Sequence, residues 1–257
     1  MKSTFLIITS FLLIEIVPIS VLFFSKGNIK SVSTHQNIIH TSTNCEISSF
    51  NINNSNYTDG KIYCIKIFKN KMNFEVTKNP SDFDFSINSN FFASRPLGEV
   101  IIDKKLINKR VKGGGFFSSK NGDFDVTTSN RPSNVEYSSQ THLVGIRNGE
   151  LNPNVLNAGW SKAQYYRILI GKDSKGNLII LHSNRFALIS IKDICKVGKS
   201  VGMTTGLIFD GGVSVDVSIT DGLYSHSFQA LPTIARKFKK NVTPPIYIVV
   251  NFNYLNN

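Results

Sequence analysis

Asp210, Gly211, Gly212 and Ser214 terminate the run Leu207-Ile-Phe-Asp-Gly-Gly-Val-Ser214. A short, β-prone, uninterrupted apolar segment reads as a buried strand. The residues at its exit are a carboxylate, two glycines and a hydroxyl. Glycine allows close approach and positive φ, from which successive N–H groups can form an anion-binding concavity. Asp210 can accept from sugar hydroxyls or move a proton. The competing reading is an Asp-Gly turn between two strands, and taken alone the turn is the better one. Asn88-Ser-Asn-Phe-Phe92 sets amides beside aromatics: Asn90 can bond hydroxyls and Phe91 can stack on a sugar ring, or the segment is an Asn-rich turn with Phe anchors in the core. Arg167 opens an apolar strand, where a guanidinium is costly unless paired. Its fork suits the oxygens of a phosphodiester, with a structural salt bridge as the equal alternative. Asp173 is the candidate second carboxylate, although Asp is also a favoured turn residue. Gly113-Gly-Gly115 lacks the context of a nucleotide loop. His142, His182 and His226 have no Ser or Cys nucleophile at a telling spacing and read as structural or exposed.

The elements that must hold these residues are mostly strands. Lys61–Phe68, Phe83–Ile87, Glu99–Ile102, Phe124–Thr127, Leu143–Ile146 and Ile246–Asn251 are β-like, with turn signals at Asn121-Gly, Asn148-Gly and Lys175-Gly-Asn177. Arg167–Gly171 and Asn177–His182 predict a hairpin. One helix is well signalled: Ser190 caps it, Asp193 sits at the capping-box position, and Gly202 stops it. Its apolar face is Ile191, Ile194, Cys195, Gly198 and Val201. The fold class expected is α+β, a single domain of largely antiparallel or mixed sheet with few helices, over residues 61–257.

The chain has 257 residues, 41% of them hydrophobic, enough for one sizeable core. Lys and Arg outnumber Asp and Glu by 29 to 17, a formal charge of +12, which favours anionic partners. The basic residues are scattered apart from Arg236-Lys-Phe-Lys-Lys240. A phosphate-bearing substrate or anionic glycan is therefore expected, and no nucleic acid. Residues 5–24 form an apolar run behind Lys2, long enough to span a bilayer. Residues 1–25 read as a signal peptide or signal anchor, with the body exported to the periplasmic or extracellular face. Residues 26–60, rich in Ser, Thr and Asn, read as a polar linker. Cys45 and Cys64 could pair in an oxidising compartment, and Cys195 reads as packing. No Cys-x-x-Cys, His-x-x-x-His or calcium-loop pattern is present, so no cofactor and no metal ligand is assigned.

The order of these segments is more specific than any one of them. Asn88–Phe92 with Gly98–Asp103, then Gln140–Glu150, then Arg167-x-x-x-Gly171-x-Asp173-x-x-Gly176, the capped helix and Phe209–Ser214 together resemble the phosphodiester glycosidase family. The likeness runs from about Phe83 to Val250. It maps family positions onto Asn90, Phe91, Phe92, Gly98, Arg167, Gly171, Asp173, Asp210, Gly211, Gly212 and Ser214. It implies hydrolysis of a sugar-1-phosphodiester, with Asp210 and Asp173 as catalytic acids and Asn90, Phe91, Arg167, Gly211, Gly212 and Ser214 holding substrate. A catalytically silent saccharide binder on the same fold is the alternative. Val213 stands where the family has a third glycine, and Thr141-His142 where Ser-Gly-Pro is common.

Overall fold

The computed structural model describes residues 29–54, 60–69, 72–92, 96–184, 187–230 and 246–252. The apolar run at 5–24 lies outside them. The chain begins with strands β1 (Ile29–Thr41), β2 (Cys45–Asn54), β3 (Lys61–Ile67), β4 (Asn73–Thr77) and β5 (Phe85–Asn88). A two-residue pair follows, β6 (Phe91–Phe92) and β7 (Pro96–Leu97), then β8 (Val100–Ile102) and β9 (Lys105–Asn108). Next come β10 (Gly115–Lys120), β11 (Asp123–Thr127), β12 (Tyr137–Thr141), β13 (Leu143–Arg147), β14 (Glu150–Leu151) and the one-turn helix α1 (Pro153–Leu156). The remainder is β15 (Ile168–Asp173), β16 (Leu178–Ser183), α2 (Ile191–Ser200), β17 (Met203–Phe209), β18 (Asp216–Asp221), β19 (Tyr224–Gln229) and β20 (Tyr247–Asn251).

Three larger sheets result, of order β1-β2-β3-β16-β15-β17-β13-β14, β11-β10-β12-β8-β9 and β19-β18-β5-β20-β4. Each pairing among the described residues is antiparallel. This is the α+β, strand-dominated domain that the pattern predicts. The central strands of the eight-stranded sheet are covered on both faces, which is why they read as continuous apolar runs rather than alternations. On the inner face Ile168, Ile170, Leu207 and Phe209 meet Phe85, Phe117 and Val217 of the two smaller sheets. On the outer face Leu169 and Ile208 meet Ile191, Ile194 and Cys195 of α2.

The helix forms as its sequence dictates. The Ser190 hydroxyl accepts from the Asp193 N–H at 3.1 Å, and Gly202, just beyond the last turn, takes φ +86°. Gly145 lets the helix settle on the sheet, since a Cβ there would collide with Cys195 Sγ.

Two expectations are corrected. The stretch taken as a linker supplies β1 and β2, a long antiparallel hairpin that extends the large sheet from its β3 side. Its polar composition misleads because much of β1 is only partly covered, while β2 alternates enough to bury Ile47, Phe50 and Ile52. Cys45 and Cys64 do not pair. Cys45 belongs to the inner core and Cys64 to the outer one, on opposite faces of the same sheet. Among the described residues no helix is long and apolar enough to cross a membrane.

Candidate active site

The first residue after β17 is Asp210. Register pairs Phe209 with Ile168, so the chain leaves the sheet beside Tyr166 and Arg167. The Asn88 side-chain amide donates to the Asp210 carbonyl at 3.0 Å, and its oxygen accepts from the Asp216 N–H at 2.8 Å. One fully buried amide thus clamps both ends of the loop that joins β17 to β18. The Thr141 hydroxyl holds the Ile208 carbonyl. The segments around Asn88, Thr141, Arg167 and Asp210 therefore converge at one end of the sheets, although they lie far apart in sequence.

Burial at this end pushes the Asp210 carboxyl up to about 6, against hydrogen bonds from the Ser214 hydroxyl and the Gly211 N–H, which pull the other way. Desolvation prevails because it penalises the charged form more than two donors repay. A carboxyl with this value exchanges its proton near neutral pH, as a general acid or base must. Ser214 is thereby placed on Asp210, one turn along the short 3-10 helix Gly212–Ser214.

Arg167 sits next along. Its Nη2 donates to the Ala163 carbonyl at 2.8 Å, its Nε reaches the Ile189 carbonyl at 3.4 Å, and its Cζ lies 5.0 Å from the centre of the Tyr165 ring. Burial lowers it to about 10. None of the ion pairs among the described residues includes it. The salt-bridge alternative thus has no partner there. A desolvated guanidinium held by neutral carbonyls retains its attraction for an anion.

The other expected site residues have protein partners of their own. The Gly211 and Gly212 amides are not a vacant cradle: Gly211 N–H turns to the Asp210 carboxylate and Gly212 N–H donates to the Tyr166 carbonyl at 2.7 Å. The glycines serve close approach instead. A Cβ on Gly211 would fall on the Tyr166 carbonyl oxygen, and Gly212 adopts φ +63°. Asn90 has its hydrogen-bonding groups held by protein partners. It is fully buried, its amide donates to the Gln140 carbonyl at 2.9 Å, and its oxygen accepts from Ser89 and Ser139. The side chains of Phe91 and Val213 lie outside what the structure describes.

Asp173 is not near Asp210. It pairs with Met203 at the opposite end of the β15–β17 ladder, roughly 20 Å away at ~3.3 Å per residue. Two carboxyls that share one glycosidic bond stand only about 5–10 Å apart. Asp173 accepts from the Lys175 and Asn177 N–H groups and from the Asn177 amide, each at 2.9 Å, and pairs with Lys66 at 2.7 Å. It builds the hairpin turn.

Sequence reading missed the clamp Asn88, whose signal was its place one residue before the Ser-Asn pair. It also missed an aromatic and imidazole wall on the inner face. Tyr63 stacks on His182 at 5.3 Å, His182 Nε2 lies 3.3 Å from His226 Nε2, and Phe228 meets Tyr166 edge-on at 5.6 Å. Burial, with His226 beside it, lowers His182 to about 3. His142 is exposed.

Comparison with known proteins bears on the fold and the family. A search of curated proteins finds no match. The fold resembles the catalytic domain of zebrafish N-acetylglucosamine-1-phosphodiester alpha-N-acetylglucosaminidase, a structure described as auto-inhibited by its pro-peptide. That match has a TM-score of 0.58 at 12% identity and covers 90% of this chain and 86% of the other. A hypothetical protein from Synechocystis matches with TM-score 0.62 at 11% identity, over 84% of this chain and 63% of that one. A protein from Burkholderia pseudomallei described as exported matches with TM-score 0.50 at 9% identity, over 76% and 75%. The family model for phosphodiester glycosidases matches residues 81–242, more than half the sequence and all of the converging segments, and the chain belongs to that family.

Proposed function

We propose that the protein hydrolyses a sugar-1-phosphodiester, with Asp210 as the proton-transfer group and Arg167 as the anchor for the phosphodiester. The observation that carries this reading is a carboxyl raised to about 6 at the end of a strand whose register brings it beside the backbone of Arg167, a residue whose guanidinium no described carboxylate neutralises. Water adds to the anomeric carbon, the bond from that carbon to the bridging oxygen breaks, and the products are a free sugar and a phosphate monoester. Phosphate is a good leaving group, so one acid or base suffices where an ordinary glycoside needs two. Ser214 and the Gly211 N–H fix the carboxyl's orientation. The likeness to the zebrafish enzyme supports the substrate class, and its sugar, N-acetylglucosamine, is the first to try.

We further propose that the body is exported and tethered through residues 5–24. The apolar run and the relative described as exported support this.

The test is incubation of the full-length chain with N-acetylglucosamine-1-phosphodiesters in ¹⁸O-labelled water. Free sugar carrying the label, released by the parent and not by Asp210→Asn, is the expected result. Label in the phosphate would mean P–O cleavage and would remove the glycosidase assignment. A second reading, a saccharide binder without turnover, is favoured by the occupied glycine amides and by the distance of Asp173. Tight binding of the diester with no product from a folded protein would establish it.

A further inference from the structure

We infer that His40, Cys45 and Asp221 form a binding site for one divalent transition-metal ion of the zinc type. The three residues come from the end of β1, the start of β2 and the end of β18. No spacing motif could reveal them, since 176 positions separate Cys45 from Asp221. Their ligand atoms all lie within 4.8 Å of one another, the one such cluster of three among the described residues. Asp221 Oδ2 is central, 2.8 Å from His40 Nε2 and 3.4 Å from Cys45 Sγ. Bonds of about 2.0–2.3 Å at tetrahedral angles place ligand atoms roughly 3.3–3.6 Å apart. The sulfur–oxygen separation already fits, and the nitrogen–oxygen pair needs to open by about half an ångström once an ion replaces the shared proton.

The surroundings are those of a ligand set rather than of a nucleophile. A catalytic thiol requires an imidazole at the sulfur, and here the sulfur meets a carboxylate instead, in a fully buried position. The ligands are oriented from outside, as ligands to metals generally are. The Asn44 amide donates to Asp221 Oδ1 at 3.0 Å, the Ser42 hydroxyl also bonds that carboxylate, and the Cys45 N–H donates to Ser42 Oγ at 3.1 Å. The His40 ring lies flat on Tyr224, 4.7 Å between centres and 13° between planes. Thiolate, imidazole and carboxylate together suit zinc and its neighbours rather than calcium or magnesium. Half-buried His40 leaves an approach from solvent, and a water completes the fourth position. On binding, the thiol proton is released, and the imidazole proton moves from Nε2 to Nδ1. The ion would bolt the first hairpin to the β18–β19 hairpin, whose inner face continues through His226 to Phe228 and Tyr166.

The experiment uses the full-length chain, stripped with a chelator and titrated with zinc against a chromophoric competitor, and in parallel with Co²⁺. One ion per chain is expected, together with a rise in Tm and a thiolate-to-cobalt charge-transfer band. Cys45→Ser should abolish that band and weaken zinc by at least about tenfold. Cys64→Ser and Cys195→Ser, which alter the other two buried thiols, should leave both unchanged. Should Cys45→Ser not fold, zinc-edge X-ray absorption on the unmutated protein decides by counting one sulfur among the ligands. A folded chain that takes up no stoichiometric zinc, a zinc shell without sulfur, or a cobalt band that survives in Cys45→Ser overturns the proposal.

Discussion

The two ends of the β15–β17 ladder each carry an aspartate within the span that the family model matches, and they behave in opposite ways. At Asp173 burial raises the carboxyl, but the Lys66 ammonium and the Asn177 donors outweigh it and hold it below the usual range. At Asp210 burial acts against hydrogen bonds from Ser214 and Gly211 alone and wins. Asp173 is the last residue of an apolar strand and Asp210 the first beyond one. The difference is the number and charge of the donors that meet them. Asp173 has its acceptor capacity filled by the turn it builds, whereas Asp210 retains a proton to exchange. The local donors therefore separate a carboxyl that is held ionised from one that keeps its proton towards neutral pH.

The sharpest way to break this comparison is to neutralise each aspartate in turn. Asp210→Asn should lower kcat for diester hydrolysis by about 10²–10⁴ with the fold intact. Asp173→Asn should leave kcat within a few-fold and instead cost on the order of 2–4 kcal/mol of stability, because it strips the counter-charge from Lys66 and weakens four contacts. Sugar release and thermal melts on the two variants separate the roles. A dead but stable Asp173→Asn would reverse the assignment.

Arg167 tests the same end from the substrate's side. Arg167→Lys keeps the charge and loses the planar fork, and should reduce kcat/KM by about 10–100-fold, mainly through KM, as expected for a bidentate anchor. Gly211→Ala follows. Its Cβ would meet the Tyr166 carbonyl, so the loop must shift, at about 1–3 kcal/mol of stability. Activity should fall with it, because Asp210 is adjacent. Gly149→Ala is a useful contrast, since nothing lies near its Cβ. That glycine has φ +78°, so its cost is backbone strain of about 1 kcal/mol without loss of turnover.

Much of the fold was legible. The β15–β16 hairpin, the capped helix and β20 follow from uninterrupted apolar runs and from Ser190 and Gly202, signals that act within a few residues. The first hairpin was not legible. Its Ser and Asn residues imitate a linker, and what holds β1 is pairing to β2 and the contact of His40 with Asp221, which no local pattern encodes. For the proposed site, Asp210 and Arg167 stand out in the sequence because each is a charged residue that bounds an apolar strand. The partners of Asn90 were not legible for a physical reason: an amide looks the same in sequence whether it faces a ligand or, as here, the Gln140 carbonyl and two serines.

The pH dependence of stability is the most direct reading of the contrast, because it does not depend on turnover. Asp210 holds its proton up to about pH 6 in the folded chain, whereas an unperturbed aspartate loses it near 3.8. The native state therefore binds more protons than the unfolded one between these values. Its contribution to stability is fully present below about pH 3.8 and is lost as pH rises through 6. The difference of about 2 pH units corresponds to at most about 3 kcal/mol. Asp210→Asn removes the titration, so the variant should be more stable than the parent by about 1–3 kcal/mol at pH 7.5, with the advantage gone near pH 4. Asp173→Asn should show the opposite sign, since a depressed carboxyl contributes stability above the unfolded value and loses it as pH falls. Denaturant titrations of the three proteins at several pH values give the answer. If Asp210→Asn were less stable than the parent at neutral pH, the carboxylate would be held by more than Ser214 and Gly211, and Asp210 would join Asp173 among the residues that build the fold.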